Sequence, residues 1–323
     1  MSDIKIEPVS DYALSKENRP KAVFSKVGIV GCGTVGQNLA RMISAKGIEV
    51  VFIEISEERA QNALARINDD LDRMIDRWGM TSGEKRAVLS RIEAATDCSK
   101  LKDCEIVFES VRSKSKVAET KLVQDVFLKI EKNVSKDTII ATNATILGVT
   151  ELASVLKHPE RALAIHFLLS VPDAPVVEVT TGVKTSEETK RKVNVFTKML
   201  GRRLIPVFES PGGISARLVS PLINDACQMF LEGVGTLDDI DDMMTKGLGM
   251  RFGPFAMADK IGLDKILLWL NGMYEEYGDL KYKAHTLLKT KVRANHFGRK
   301  TREGFYLYDE HGRRSNKVKC CQQ

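Results

Sequence analysis

Two residues twelve positions apart carry the groups that proton transfer needs. His166 ends the apolar run Ala162-Leu163-Ala164-Ile165, and Glu178 sits inside the next one, Val176-Val177-Glu178-Val179, past a bend marked by Pro172 and Pro175. An imidazole titrates near neutral pH, so it can take a proton from a hydroxyl and later return it. A carboxylate among valines needs a partner to offset its lost hydration. If the two meet, the carboxylate fixes the imidazole tautomer and stabilises its cation. That pair is suited to removing an alcohol proton while a hydride leaves the same carbon. A lone histidine at a strand end is more often a satisfied structural residue, so these residues alone leave both readings open.

A second constellation lies near the start of the chain. Gly31-Cys32-Gly33-Thr34-Val35-Gly36 follows the apolar run Val27-Gly28-Ile29-Val30 and opens a helical stretch from Gln37 to Lys46. In such a GxGxxG turn the first glycine permits the tight bend, the second lets the backbone approach a diphosphate, and the third lets helix and strand pack closely. Amides at the helix start, from Thr34 and Val35 onward, then hold the phosphates. The next apolar run, Val50-Val51-Phe52-Ile53, ends in Glu54, 18 residues beyond Gly36. A carboxylate there accepts hydrogen bonds from both ribose hydroxyls of adenosine and repels a 2′-phosphate, which favours NAD over NADP. The competing reading is a Rossmann-like scaffold for a different nucleotide.

The elements that must position these groups follow from hydrophobic periodicity. Short β-branched runs alternate with longer amphipathic stretches from Val27 to about Phe208, the pattern of a doubly wound α/β sheet with crossover helices. Strands are expected at Val27–Gly31, Glu49–Glu54, Glu105–Glu109, Thr138–Thr142, Ala162–Phe167, Val176–Thr180 and Leu204–Phe208, with long helices at Glu57–Trp78 and Lys116–Val134. After Ser210-Pro211-Gly212 strand signals nearly vanish, and Ile214–Glu232, Asp239–Gly247 and part of Phe255–Tyr277 read as helix. The expected organisation is an extension over residues 1–25, a Rossmann-type domain over 26–209 and an all-helical domain over 210–323. In doubly wound folds the carboxyl ends of strands face the ligand crevice, which is where His166 falls.

Bulk properties narrow the partners. At 323 residues two unequal domains are the natural expectation. No run of about 18 apolar residues occurs, so no membrane span is expected. The first 25 residues mix charged residues and proline without the apolar core of a secretory signal. The net charge of +6 is spread among few aromatics, unlike a nucleic-acid groove. The six cysteines form no CxxC pair or metal-ligand spacing, and none reads as part of a disulfide framework; a reducing cytoplasm fits them best.

The motifs in order resemble the 3-hydroxyacyl-CoA dehydrogenases. His166-Phe167-Leu168-Leu169-Ser170-Val171-Pro172 through Val177-Glu178-Val179 resembles the family's HFFNPVP…VEV, with His and Glu at the family's spacing. Thr142-Asn143-Ala144-Thr145-Ile146-Leu147 resembles its SNTSSL, and Ser210-Pro211-Gly212 with Arg217-Leu218 its SPGFIxNRL. Gly253-Pro254-Phe255 with Asp259 and Gly262-Leu263-Asp264 resembles GPFxLxDxxGLD, and Gly298-Arg299-Lys300-Thr301 with Gly304-Phe305-Tyr306 resembles GRKTGxGFY. The likeness runs from residue 27 to about 308. It implies NAD-linked interconversion of 3-hydroxyacyl-CoA and 3-ketoacyl-CoA, with His166 as acid/base and Glu178 orienting it. It further implies Thr145 as a hydroxyl beside the substrate oxygen, Asn143 beside the cofactor, and Arg77 as a weak contact to the nucleotide portion of CoA.

The sequence also departs from the family. The asparagines of HFFNP and SPGFIxNR are Leu169 and Ala216, and the phenylalanine of the latter motif is Gly213. Losing a hydrogen bond to a reacting oxygen costs about 3 kcal/mol of transition-state stabilisation. Leu169, Gly213 and Ala216 either shape a roomier, more apolar site for a bulky, branched or cyclic acyl group, or belong to a short-chain hydroxyacyl-CoA enzyme with relaxed positioning. The family's EAVxE reads Glu109-Ser110-Val111-Arg112-Ser113, so the loop near the nicotinamide is altered as well. Apolar residues of the helical domain, among them Leu218, Leu222, Ile223, Met229 and Phe230, together with the resemblance, point to a homodimer. Two alternatives stand: a dehydrogenase of free 3-hydroxy acids, and a non-catalytic homologue that binds NAD or acyl-CoA.

Overall fold

The computed structural model describes residues 24–76, 78–112, 116–168, 174–310 and 312–315. Most of the expected extension, residues 316–323, Arg77 and Leu169 lie outside the described residues.

Eight strands form one sheet: β1 (Lys26–Val30), β2 (Glu49–Ile53), β3 (Ile92–Ala95), β4 (Ile106–Glu109), β5 (Ile139–Thr142), β6 (Ala162–His166), β7 (Val176–Thr181) and β8 (Arg203–Val207). Their order is β3-β2-β1-β4-β5-β6-β7-β8. Alternation sends Val27, Ile29, Val50 and Phe52 into one core and Val30, Val51, Ile53 and Val107 into another. A sheet buried on both faces reads as near-continuous apolar runs, which is why strand signals in this half are strong. The helices α1 (Thr34–Ser44), α2 (Glu57–Asp76), α3 (Ser82–Leu89), α4 (Lys116–Asn133), α5 (Val149–Ala153) and α6 (Glu187–Met199) lie among these strands in the chain. Topology reverses between β1 and β4, the switch point at which such sheets open a crevice.

The sheet is not wholly parallel: β6 and β7 pair antiparallel, with His166 opposite Glu178 in register. Only nine residues join these strands, fewer than the dozen or so that a parallel crossover requires. β3 and α3 had no counterpart among the expected elements. Ile92-Glu93-Ala94-Ala95 is a short edge strand, largely half-buried, and carries little β-branched signal.

Beyond Val207 the described chain has no further strand elements and folds into α7 (Ser215–Leu231), α8 (Leu237–Asp242), α9 (Pro254–Ile261), α10 (Leu263–Tyr277) and α11 (Thr286–Arg293) around its own core. Ile146, from the loop after β5, belongs to that core and ties the two halves together. Two buried carboxylates pin the end of the chain: Asp259 accepts from the backbone of Phe305 and Tyr306, and Asp241 from Phe255, Ala256 and the Tyr306 hydroxyl. Ile223 is fully buried here, whereas Leu218 and Met229 are exposed on α7. No described helix is long and apolar enough to cross a membrane.

Candidate active site

The glycine turn follows β1 directly. A Cβ on Gly36 would stand 2.3 Å from the carbonyl oxygen of Gly31, so only glycine lets the first turn of α1 close onto the strand. Around Gly33 a Cβ position meets nothing within 4 Å, leaving open space over the turn for a diphosphate at the start of α1, where Thr34 and Val35 lie. Glu54, just past β2, is buried and turns back to this loop: its Oε1 accepts from the backbone N–H of Cys32 at 2.6 Å, and its Oε2 lies 3.5 Å from Arg59. The cradle that a Cβ would fill, the open turn and the inward carboxylate together fit a dinucleotide.

Loops after β1, β4, β5 and β6 share one edge of the sheet. After β5, Asn143 accepts at its Oδ1 from the backbone N–H of Phe167 at 3.4 Å, which joins the β5 and β6 loops. Thr145 is half-buried, and its carbonyl accepts from Gly212 at 2.8 Å. Among the described residues its hydroxyl has no hydrogen-bond partner.

His166 and Glu178 meet. Their cross-strand register sets both side chains on one face, and Nδ1 of His166 lies 3.2 Å from Oε2 of Glu178. Both residues are buried. Burial pushes the imidazole below its ordinary pKa, and Lys265 adds to this, while the hydrogen bond to Glu178 opposes it. Burial alone would raise the Glu178 carboxyl, but hydrogen bonds from His166 and Ser215 outweigh it and hold the group below the usual range. The dyad therefore rests as a neutral imidazole beside a carboxylate.

Ser215 went unnoticed in the sequence. It opens α7, where its N–H donates to Glu178 Oε1 at 2.7 Å and its hydroxyl donates to Oε2 at 3.2 Å. Glu178 thus occupies the start of α7, where unsatisfied amides favour negative charge. The signal was available: a hydroxyl residue fills the free position of the SPGFIxNR motif, at the first helical residue after a glycine turn.

A cavity of about 120 Å³ opens beside His166, lined among others by Ser215, Phe252, Lys260, Lys265 and Trp269. The Trp269 indole stands edge-on to the imidazole, 6.0 Å between centroids. Two expected lining residues lie elsewhere. Ala216 is fully buried in the helical core. Gly213, at φ +52°, packs on the dyad, where a Cβ would stand 3.0 Å from Glu178 Oε2. Its missing side chain thus makes room for a carboxylate rather than for substrate.

Residues 26–210 match the model of the 3-hydroxyacyl-CoA dehydrogenase NAD binding domain, and residues 212–308 match that of the 3-hydroxyacyl-CoA dehydrogenase C-terminal domain. The chain belongs to the 3-hydroxyacyl-CoA dehydrogenase family. It is an NAD-dependent dehydrogenase of that family. A family relative, 3-hydroxybutyryl-CoA dehydrogenase of Clostridioides difficile, is 34% identical over 285 residues, covering 88% of this chain and all of the relative. Among solved structures, FadB2 of M. tuberculosis superposes with a TM-score of 0.83 at 28% identity, covering 88% of this chain and 99% of the other. The (S)-3-hydroxybutyryl-CoA dehydrogenase PaaH1 of Ralstonia eutropha gives a TM-score of 0.76 at 34% identity, covering 89% and 100%.

Proposed function

We propose that this dehydrogenase interconverts a 3-hydroxyacyl-CoA and a 3-ketoacyl-CoA, with His166 as the group that exchanges the proton and Glu178 as its positioning partner. The observation that carries the reading is the 3.2 Å contact between His166 Nδ1 and Glu178 Oε2 at the crevice edge of the sheet. NAD, when bound, supplies the hydride acceptor and donor, with Glu54 and the amides after Gly31 and Gly33 holding its adenosine and diphosphate. Nδ1–H donates to Glu178, which leaves Nε2 with a lone pair for the hydroxyl proton. The depressed pKa keeps that lone pair free at neutral pH, as oxidation of an alcohol requires. When the proton arrives, the carboxylate offsets the new charge, and Ser215 keeps the carboxylate ionised and in place.

The thioester is supported by relatives named for 3-hydroxybutyryl-CoA. A bulky, branched or cyclic acyl group has less support, since neither Gly213 nor Ala216 lines the cavity. Leu218 and Met229, exposed on α7, supply apolar surface for a homodimer, and light scattering at micromolar concentration reads that directly.

The test is NADH oxidation with acetoacetyl-CoA, with branched and cyclic 3-ketoacyl-CoA esters, and with free acetoacetate. The expected order places acetoacetyl-CoA first, and His166→Ala loses the activity while still binding NADH. Full activity in His166→Ala removes the mechanism, and an absence of turnover on every thioester removes the substrate class.

A further inference from the structure

Two lysines face the cavity beside His166, and neither serves the proton relay. Lys265 lies on α10 with its Nζ 4.8 Å from the centre of the Trp269 ring, one helical turn along. Lys260 lies on α9 with its Nζ 4.1 Å from the centre of the Phe252 ring. Both rings and both lysines line the same space as the imidazole. Among the described residues neither ammonium has an ion pair within 4.0 Å. An aromatic face gives an ammonium some attraction but no counter-charge, so in a half-buried pocket the charged form is favoured when an anion arrives.

The surroundings deepen the imbalance. Asp264 is a nearby carboxylate whose Oδ2 is engaged by Lys300 at 2.5 Å and Arg112 at 3.9 Å; it favours the charge on Lys265 without forming an ion pair with it. Arg112 and Lys300 both act on Lys265 as like charges, and Arg299 and Arg251 do the same to Lys260. Burial, followed by Arg112, pushes Lys265 down to about 7. Cations from the loops after β4, α8 and α11 thus surround Lys260 and Lys265, the two that line the pocket. The α2 region that the family resemblance assigns to the CoA nucleotide lies in the other domain, so its phosphates do not account for this wall.

We propose that Lys265 and Lys260 select an acyl group that carries a second anionic group, a carboxylate at the far end of a short chain. This rests on the 3-hydroxyacyl-CoA reading and names its substrate class. The carbonyl of the thioester substrate meets His166 while its terminal carboxylate meets the two ammonium groups, and the aromatic rings cover the methylenes between. The depressed pKa of Lys265 then rises when the anion arrives, so the bound state is charged on both sides.

A matched pair of six-carbon esters tests this: 3-oxoadipyl-CoA, which ends in a carboxylate, and 3-oxohexanoyl-CoA, which ends in a methyl group. The readout is the ratio of their kcat/KM values in NADH oxidation. One charge-assisted contact predicts a ratio of about tenfold to a hundredfold in favour of the carboxylated ester. Lys265→Met and the double variant Lys260→Met/Lys265→Met bring the ratio toward one, chiefly through the KM of the carboxylated ester, and Lys265→Arg restores it. NADH fluorescence on binding shows that each variant is folded. A ratio near one in the wild type, or a ratio unchanged in the double variant, overturns the proposal and leaves the dehydrogenase reading intact. No turnover of either ester overturns both. Free acetoacetate turned over as fast as the esters moves the recognised carboxylate to C1 and overturns the proposed source of the anion.

Discussion

The backbone N–H of Ser215, the first residue of α7, donates to Oε1 of Glu178, on a strand of the sheet, at 2.7 Å. The same serine's hydroxyl reaches Oε2, the oxygen that His166 also holds. One carboxylate therefore fixes the imidazole and caps the helix across which the two halves meet. Ser215→Ala keeps the N–H contact and loses the hydroxyl. The expected result is a fall in kcat of about three- to tenfold, the cost of one hydrogen bond to a charged group with its neighbour retained. Glu178 loses a stabilising donor, so its pKa rises, and the acid limb of the pH–rate profile changes with it. Ser215→Thr keeps the hydroxyl and restores the profile. An unchanged profile in Ser215→Ala would show that the hydroxyl is structural only.

The dyad itself predicts opposite pH dependences for the two directions. Oxidation needs the neutral imidazole, whose pKa burial holds below 6.5, so its kcat/KM rises through that lower value and is level above it. Reduction needs the imidazolium, so its rate falls as pH rises through the same region. Glu178→Gln removes the group that opposes the downward shift, which moves both limbs to still lower pH and lowers the rate by about tenfold or more. His166→Ala lowers it by about 10²- to 10⁴-fold with NADH binding retained. Parallel pH profiles for oxidation and reduction would contradict the assignment of His166.

The sequence was informative where local pattern and chemistry coincide. The run from Val27 through the glycine turn to Glu54 declares itself because strand, turn, helix and terminal carboxylate are consecutive. His166 and Glu178 were legible as a pair only through their spacing, and the reason they touch, an antiparallel step inside a parallel sheet, lay in the nine-residue connection between β6 and β7. Lys265, Lys260 and Ser215 were not legible as site residues. They sit on helices of the other half, and nothing in their own neighbourhoods says which wall they will form. Gly213 was read as lost bulk in the substrate pocket, because sequence alone does not reveal that the carboxylate of Glu178 occupies that space.

Glu109, the last residue of β4, predicts a pH-dependent stability. It is buried, and burial pushes its carboxyl up to about 7, with Glu119 adding to the rise and hydrogen bonds from Thr142 at 2.6 Å and Val111 at 2.5 Å opposing it. Between about pH 4.5 and 7 the native chain keeps a proton that the unfolded chain has released, so this group's contribution to stability is lost as pH rises through that window. The loss is on the order of 3 kcal/mol. Thermal unfolding followed from pH 5 to 8 should show the decline in the wild type and a flatter course in Glu109→Gln. Equal slopes in the two proteins would mean that Glu109 ionises normally in the fold.

Ala216 occupies the position of a family asparagine, and restoring the amide is the obvious attempt to recover a more typical site. The structure predicts that it fails. Ala216 is fully buried among Ile223, Trp269, Met273 and other residues of the helical core, and the cavity beside His166 does not reach it. An asparagine there adds volume to a packed region and buries an amide among apolar neighbours. Overpacking costs about 1–3 kcal/mol, and an unsatisfied amide adds a similar amount. Ala216→Asn is therefore expected to unfold at lower urea concentration and to gain no activity on acetoacetyl-CoA. Ala216→Ser, smaller and able to bond back to its own helix, should lose less stability. A rise in kcat with unchanged stability in Ala216→Asn would instead mean that the start of α7 can turn this position toward the substrate.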